Sequence, residues 1–350
     1  MKIGIITFHR ADNYGAVLQA FGLYKKIQEL FVHNEVYIVD YCPEKIKEYY
    51  RLLSFKNIFN FISSAIRLPF NIKRKVKFNK FRKEKFKYID IKDIHCLDFL
   101  VCGSDQIWNP NITGGIDLHY FGHITGFTGK IIAYAASDGG CLENIDTDIL
   151  EKYLLNFSAI SVREPSMLPF LKQNNDDISV VLDPVFLFDM EFWKKITYQI
   201  KKKYILIYRM ANDEKVEQDA YLLAKQKGLR IIEISYGFSF RKILKNEHRI
   251  ITTAGIHDFL SYILHAEYIF TNSFHGTAFS IIFNKDFYTY RLNNKKNNRI
   301  HTILSWFNIT DRYGDNFNIK EQNKINYLIV NNLVTKRRNE SLYFLEKNIS

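Results

Sequence analysis

The chain has 350 residues, 47% of them hydrophobic and 25% charged, which excludes a long disordered or fibrous protein and suits two domains of moderate size. Its four cysteines, Cys42, Cys96, Cys102 and Cys141, form no CxxC pair, so neither a zinc finger nor a disulfide framework is indicated. The formal charge of +12 is concentrated: residues 45 to 92 hold fifteen Lys/Arg against three Asp/Glu, an excess as large as that of the whole chain.

Ile3 to Thr7 predicts a buried strand and His9 to Asn13 a polar turn. Val17, Leu18, Phe21, Tyr24, Ile27 and Phe31 then recur at the three- and four-residue steps of a helix with one apolar face. Val36 to Val39 is the next strand, and a strand–helix–strand unit of this length predicts a parallel sheet. The turn holds Asn13, Tyr14 and Gly15 but no GxGxxG, so the dinucleotide fingerprint of a dehydrogenase is missing. The opening MKIGIITF is too short an apolar run to be a signal peptide, and no run has the length of a membrane span. A cytoplasmic location is expected.

Residues 45 to 92 break the β/α alternation. Tyr49, Leu52, Leu53, Phe55, Ile58, Phe59, Phe61, Ile62 and Ile66 make an apolar helical surface, Pro69 interrupts it, and NIKRKVKFNKFRKEKFK follows. Such a stretch suits a solvated helical face first, anionic lipid at the inner membrane face second, and nucleic acid, which is not expected as a partner, last.

The sheet resumes with strands at Asp98 to Cys102, Ile131 to Ala135, Ala159 to Val162 and Val180 to Leu182. Polar groups follow them, among them Ser104 and Asp105, and Arg163 with Glu164. A second set has strands at Lys203 to Tyr208, Leu229 to Ile234, Tyr268 to Phe270 and Phe287 to Tyr290, with helices at 213 to 227 and 255 to 265. The two sets predict an α/β fold of two Rossmann-like domains facing across a cleft, GT-B-like. One covers 1–190 with the basic insertion at about 45–92, the other 191–350, and the boundary falls within 185–200. Glu321 to Asn348 is a candidate to return to the first domain.

The stretch from Tyr268 to Lys285, YIFTNSFHGTAFSIIFNK, reads as strand, turn and helix. Ser273 caps the helix, and Gly276 allows another backbone or a ligand to come close to its first turn. Unpaired N–H groups there suit a phosphate or carboxylate, and His275 is placed to accept a proton. The residues alone leave two readings, a catalytic histidine or one packed at a helix–sheet junction. No cluster of His, Cys, Asp or Glu has metal-site spacing, since His9 with Asp12, or Asp117 with His119, is too sparse.

Five segments, in this order, resemble the polysaccharide pyruvyl transferase family: GIITFHRADNYGAVLQAFGL, FLVCGSDQIWNP, SAISVREPSMLPFL, VLDPVFL and SFHGTAFSIIFNKDFYTY. The resemblance implies a GT-B-like fold and transfer of the pyruvyl group of phosphoenolpyruvate onto two hydroxyls of a sugar as a ketal. No other cofactor or metal is required. The acceptor would be a capsule or exopolysaccharide sugar or a lipid-linked oligosaccharide precursor, with peripheral membrane contact through 45–92. His275 is carried over as the acid/base. Arg163 is the first cation assigned to the anion, with a surface salt bridge to Glu164 as its other reading, and Arg291 or Arg299 is the second. Asn13, Tyr14, Gly15, Ser104, Asp105, Ser273 and Gly276 are expected to line the substrate site, Asp105 either as a base or as a helix cap. A glycosyltransferase using a nucleotide-sugar is the rival reading, and a protein that binds RNA or membrane through 45–92 is the non-enzymatic one.

Overall fold

The computed structural model describes residues 1–53, 57–171, 178–236, 248–292, 298–315, 317 and 324–349. Phe55 and Glu321 lie outside the described residues.

Strands β1 (Lys2–Ile6), β2 (Glu35–Asp40), β3 (Tyr88–Asp90), β4 (Phe99–Asp105), β5 (Lys130–Ala136), β6 (Phe157–Val162) and β7 (Ile178–Val180) form one sheet. Their order is β3-β2-β1-β4-β5-β6-β7 and every pairing is parallel. Central strands of such a sheet are covered on both faces, which is why KIGII and FLVCGSD read as nearly unbroken buried runs. The second sheet joins β8 (Tyr204–Tyr208), β9 (Arg230–Ile234), β10 (His248–Ile251), β11 (Tyr268–Thr271), β12 (Asp286–Tyr290) and β13 (Tyr313–Gly314). Its order, β10-β9-β8-β11-β12-β13, is again all parallel. Both sheets therefore have the Rossmann strand order, with reversals between β1 and β4 and between β8 and β11. Strands β3, β10 and β13 are short edge strands that the hydrophobic pattern does not announce.

The chain divides into two compact units. The first comprises Met1–Arg51, Arg82–Phe188 and Val334–Ser350, the second Leu52–Phe81 and Asp189–Leu333. From Val334 on, the terminal helix Tyr327–Asn348 belongs to the first unit, where the Arg338 guanidinium donates to the carbonyls of Phe186 (2.6 Å) and Phe188 (3.0 Å) and Ser341 Oγ accepts from Leu182 N at 2.9 Å. Within the same unit the first helix, Tyr14–Leu30, approaches residue 184 so closely that a Cβ on Gly22 would stand 2.7 Å from the Pro184 carbonyl oxygen.

The basic stretch departs from its expected form and place. One helix, Ile58–Lys85, runs through Pro69, which has no N–H to give the helix ladder. Residues 52 to 81 cluster with the second unit, not the first. There Arg74 donates to the Thr252 carbonyl at 3.3 Å and Lys77 pairs with Asp258 at 2.6 Å, while Phe78 and Phe81 are fully buried. Arg82 belongs to the first unit and is also buried. Its guanidinium donates to the carbonyls of His9 (2.9 Å), Arg10 (3.1 Å) and Ala11 (2.6 Å) and to Asp12 Oδ1 (2.8 Å), closing the β1-to-helix loop from inside. Removing that buried donor leaves a carboxylate and three carbonyls uncompensated. Arg82→Met should cost about 3–5 kcal/mol of stability in urea unfolding, far more than a substitution at an exposed lysine of the same helix such as Lys83.

Candidate functional site

The strand-order reversal of the second sheet brings the carboxyl ends of β8 and β11 side by side, the usual ligand crevice of an open α/β sheet. Asn272, just past β11, links the two ends: its Oδ1 accepts from Met210 N at 2.7 Å and its Nδ2 donates to the Ala211 carbonyl at 3.1 Å. Thr271 Oγ1 accepts from Ser273 N at 3.0 Å, and Ser273 Oγ accepts from Gly276 N at 3.3 Å as the N-cap of the helix Phe274–Ile282. Thr277 Oγ1 donates to the Ser273 carbonyl and lies 2.9 Å from Thr289 Oγ1 of β12. Each hydroxyl of TNSFHGT is thus engaged with backbone or a neighbouring strand. The turn is held rigid before any ligand arrives.

Gly276 has a structural reason of its own. A Cβ there would stand 2.4 Å from Thr271 Oγ1 and 3.0 Å from the Tyr208 ring, so the close approach is made by the helix's own strand and its β8 neighbour. His275 precedes it, 8% exposed, with its ring edge-on to Phe274 at 5.1 Å. The Arg299 guanidinium lies over the other partner in this group, 5.7 Å from the centroid of the Phe274 ring. An imidazole and a guanidinium therefore flank one aromatic ring at a helix N-terminus. Arg291 is more exposed, lies over the Tyr313 ring at 5.4 Å and reaches Asp315 only at 4.0 Å. His265 ends the helix before β11, with Nδ1 3.0 Å from the Ser261 carbonyl, on the opposite edge of the sheet from His275.

The sequence expectation for Arg163 needs correction. The side chain is 1% exposed and sits among three carboxylates: Glu164 at 3.3 Å, Asp105 at 3.5 Å and Asp183 in a closer ion pair. Burial works to lower its pKa, but Glu164, Asp183 and Asp105 outweigh that and raise it, so the guanidinium is locked in its charged form. It is neither an open anion clamp nor the surface salt bridge of the other reading. It ties the ends of β4 and β6 and the Asp183 turn into one buried cluster, which Ser137 Oγ joins by donating to Glu164 Oε1 at 2.8 Å.

The other first-unit candidates also serve the frame. Asn13 caps the first helix by accepting from Ala16 N at 3.2 Å, and Tyr14 and Gly15 are buried. Ser104 is fully buried, its hydroxyl donating to the Ala135 carbonyl and its carbonyl accepting from Thr7 Oγ1, both at 2.8 Å. Asp105, with φ 79°, turns the chain at the end of β4 and accepts from Gln106 N at 2.9 Å. It caps no helix. Asn272 and Arg82 escaped sequence reasoning. An Asn beside a Ser cap at a strand end is a usable signal for the first, whereas nothing in a lysine-rich run marks one arginine as buried. Among the described residues no three His, Cys, Asp or Glu side chains converge as a metal site.

A family model described as polysaccharide pyruvyl transferase matches residues 13–294. A search of curated proteins finds no match. Among solved structures, a putative UDP-N-acetylglucosamine 2-epimerase from Listeria monocytogenes is similar with a TM-score of 0.52 and 8% identity, over 99% of this chain and 91% of that one. UDP-GlcNAc 2-epimerases from Methanocaldococcus jannaschii (TM-score 0.49, 12% identity, 96% and 92% covered) and Neisseria meningitidis (0.49, 9%, 100% and 99%) are also similar. The Listeria likeness shows the fold, two Rossmann-like domains of GT-B type.

The Gly276 contact yields a direct test. Gly276→Ala should force the helix off β11 and cost about 1–3 kcal/mol in urea unfolding, the usual penalty for overpacking. Ala278→Gly, two residues on, should show a propensity loss of about 1 kcal/mol.

Proposed function

The chain belongs to the polysaccharide pyruvyl transferase family, and on that premise we propose that it moves the pyruvyl group of phosphoenolpyruvate onto two hydroxyls of a polysaccharide sugar as a cyclic ketal. The observation that carries the reading is His275 in the first turn of a rigidly capped helix, at the strand-order reversal of the second sheet. In the reaction, a sugar hydroxyl adds to C2 of the enolpyruvyl unit while a proton adds to its methylene carbon. The C2–O bond to phosphate then breaks, and a second hydroxyl closes the ketal. Of the two hydroxyl protons lost, one ends on the new methyl group and the other on the departing phosphate. His275 supplies the acid/base function, and helix N–H groups with Arg299 receive the anionic charge. Arg299 is preferred to Arg291 because it stands against Phe274, next to the histidine.

Purified protein with phosphoenolpyruvate and sugar acceptors, scored for phosphate release and for a pyruvate ketal by mass spectrometry, tests the reading. His275→Ala should lower turnover by about 10²–10⁴-fold, and Arg299→Ala should raise the KM for phosphoenolpyruvate more than Arg291→Ala does. His265→Ala should stay near the parent. If the parent ignores phosphoenolpyruvate and binds a nucleotide-sugar instead, a glycosyltransferase reaction replaces this one.

The same reading includes an acceptor held at an anionic membrane surface, and the helix Ile58–Lys85 supports it. Phe61, Ile62, Ile66, Phe70, Ile72 and Val76 are exposed on it, interleaved with Arg67, Lys73, Lys75 and Lys80, which is the pattern of an interfacial helix. Among the described residues no helix is long and apolar enough to cross a membrane. Co-sedimentation with phosphatidylserine vesicles should exceed that with phosphatidylcholine, weaken with salt, and fall in Ile62→Glu/Ile66→Glu. Equal binding to both vesicle types would remove the membrane from the proposal.

A further inference from the structure

A second group of titratable side chains stands at the carboxyl edge of the first sheet. Tyr41 follows β2, and its hydroxyl donates to Asp117 Oδ2 at 2.7 Å. Asp117 Oδ1 accepts from the His119 backbone N–H at 3.2 Å and lies 2.9 Å from His119 Nδ1. A carboxylate can only accept, so Nδ1 carries a proton, and in the neutral imidazole Nε2 presents its lone pair. The ring is held on its face as well, stacked on Tyr41 with centroids 4.3 Å apart and planes 28° apart. Its side chain is nevertheless 41% exposed, against 10% for Asp117, and Nε2 has no hydrogen-bond partner among the described residues. Burial works to raise the Asp117 pKa, but the His119 and Tyr41 hydrogen bonds outweigh it and hold the carboxyl below its ordinary range.

The segment carrying this pair is anchored to the sheet. Tyr120 meets Phe8, beyond β1, edge-on at 5.2 Å, and its carbonyl accepts from Trp108 Nε1, beyond β4, at 2.9 Å. A recess of about 380 Å³ opens beside the pair, within the size range of small-molecule sites, and is lined by Tyr41, Glu44, Gly114, Gly115, Asp117 and His119. Gly114 and Gly115, with φ 91° and 137°, form one side of the recess; both N–H groups donate to the Pro110 carbonyl at 3.0 Å, the Gly115 carbonyl accepts from Thr113 Oγ1 at 2.6 Å, and the Lys45 side chain lies close to Gly114. Both lining carboxylates are already paired, Asp117 with His119 at 2.9 Å and Glu44 with Lys47 at 3.3 Å and Arg51 at 3.5 Å. A fixed acceptor nitrogen beside carboxylate oxygens suits a neutral ligand rich in hydroxyls.

We infer that this recess is a saccharide subsite in which a sugar hydroxyl donates to His119 Nε2, with Asp117 and Tyr41 fixing the tautomer and pose of the ring. The inference rests on the reading of the protein as a sugar-modifying transferase and adds to it the place of an acceptor unit on the first unit. Full-length protein labelled with ¹⁵N-histidine is titrated with methyl β-D-galactopyranoside, methyl β-D-glucopyranoside and N-acetylmannosamine, and long-range ¹H–¹⁵N spectra follow the imidazole nitrogens. The His119 resonances are assigned by their loss in His119→Gln, whose thermal unfolding checks the fold. At least one sugar should shift Nε2 saturably, and phosphoenolpyruvate should not. In the transfer assay His119→Gln should raise the KM for that sugar about tenfold, the loss of roughly one hydrogen bond, with the KM for phosphoenolpyruvate unchanged. Asp117→Asn should move the Nε2 resonance even without sugar, because the tautomer is no longer fixed. If no sugar perturbs His119, or if His119→Gln keeps the parental sugar KM while phosphoenolpyruvate is consumed, the subsite is overturned and the transferase reading stands. If sugars shift Nε2 but the parent consumes no phosphoenolpyruvate, the subsite stands and the pyruvyl donor is wrong.

Discussion

In an all-parallel sheet every strand delivers its carboxyl end to the same edge, and the chain must leave that edge without stranding the backbone groups the ladder no longer pairs. Both sheets here meet that constraint with short polar side chains. Thr7 donates to the Ser104 carbonyl, Asn272 spans from β11 to the loop beyond β8, and Ser273 caps the helix that follows. These bonds set the positions of everything else at the edge. His275 follows a turn whose hydroxyls are all engaged by the fold itself. The recess beside His119 exists because Tyr120, pinned to Phe8 and Trp108, holds its loop against the ends of three strands.

The same economy governs charge. A guanidinium taken out of water needs acceptors for its donors, and the fold supplies them in two ways. Arg82 is met mostly by carbonyls and so organises a loop, whereas Arg163 is met by carboxylates and so joins strand ends into an ionic knot. Neither is left open to a ligand by this arrangement. Arg299, packed against an aromatic ring beside a helix N-terminus, combines positive charge with partial exposure.

The amphipathic helix Ile58–Lys85 shows how one run of residues divides its work. Arg74 and Lys77 bond partners 178 and 181 residues away and Arg82 one 70 residues away, with Phe78 and Phe81 buried nearby. The remaining basic residues share the outer half of the helix with exposed apolar side chains, which is why this face and not the whole stretch carries the membrane proposal.

The amino-acid pattern by itself determined the two β/α series, the parallel sheets, the Ser273 cap and the placement of His275 at a strand-to-helix turn. Each follows from local periodicity or from residues within a few positions of one another. Edge strands such as β13, two residues long, carry too little periodic signal to be read. Only the tertiary structure decided that Arg163 is enclosed by Asp105 and Asp183, 58 and 20 residues away, that Gly276 makes room for Thr271, and that Tyr41 meets Asp117 across 76 residues. Burial and partner choice for a charged or polar side chain depend on long-range contacts that no local pattern encodes. A motif can thus name the residue type at a strand end while leaving open whether that residue faces the ligand or the frame.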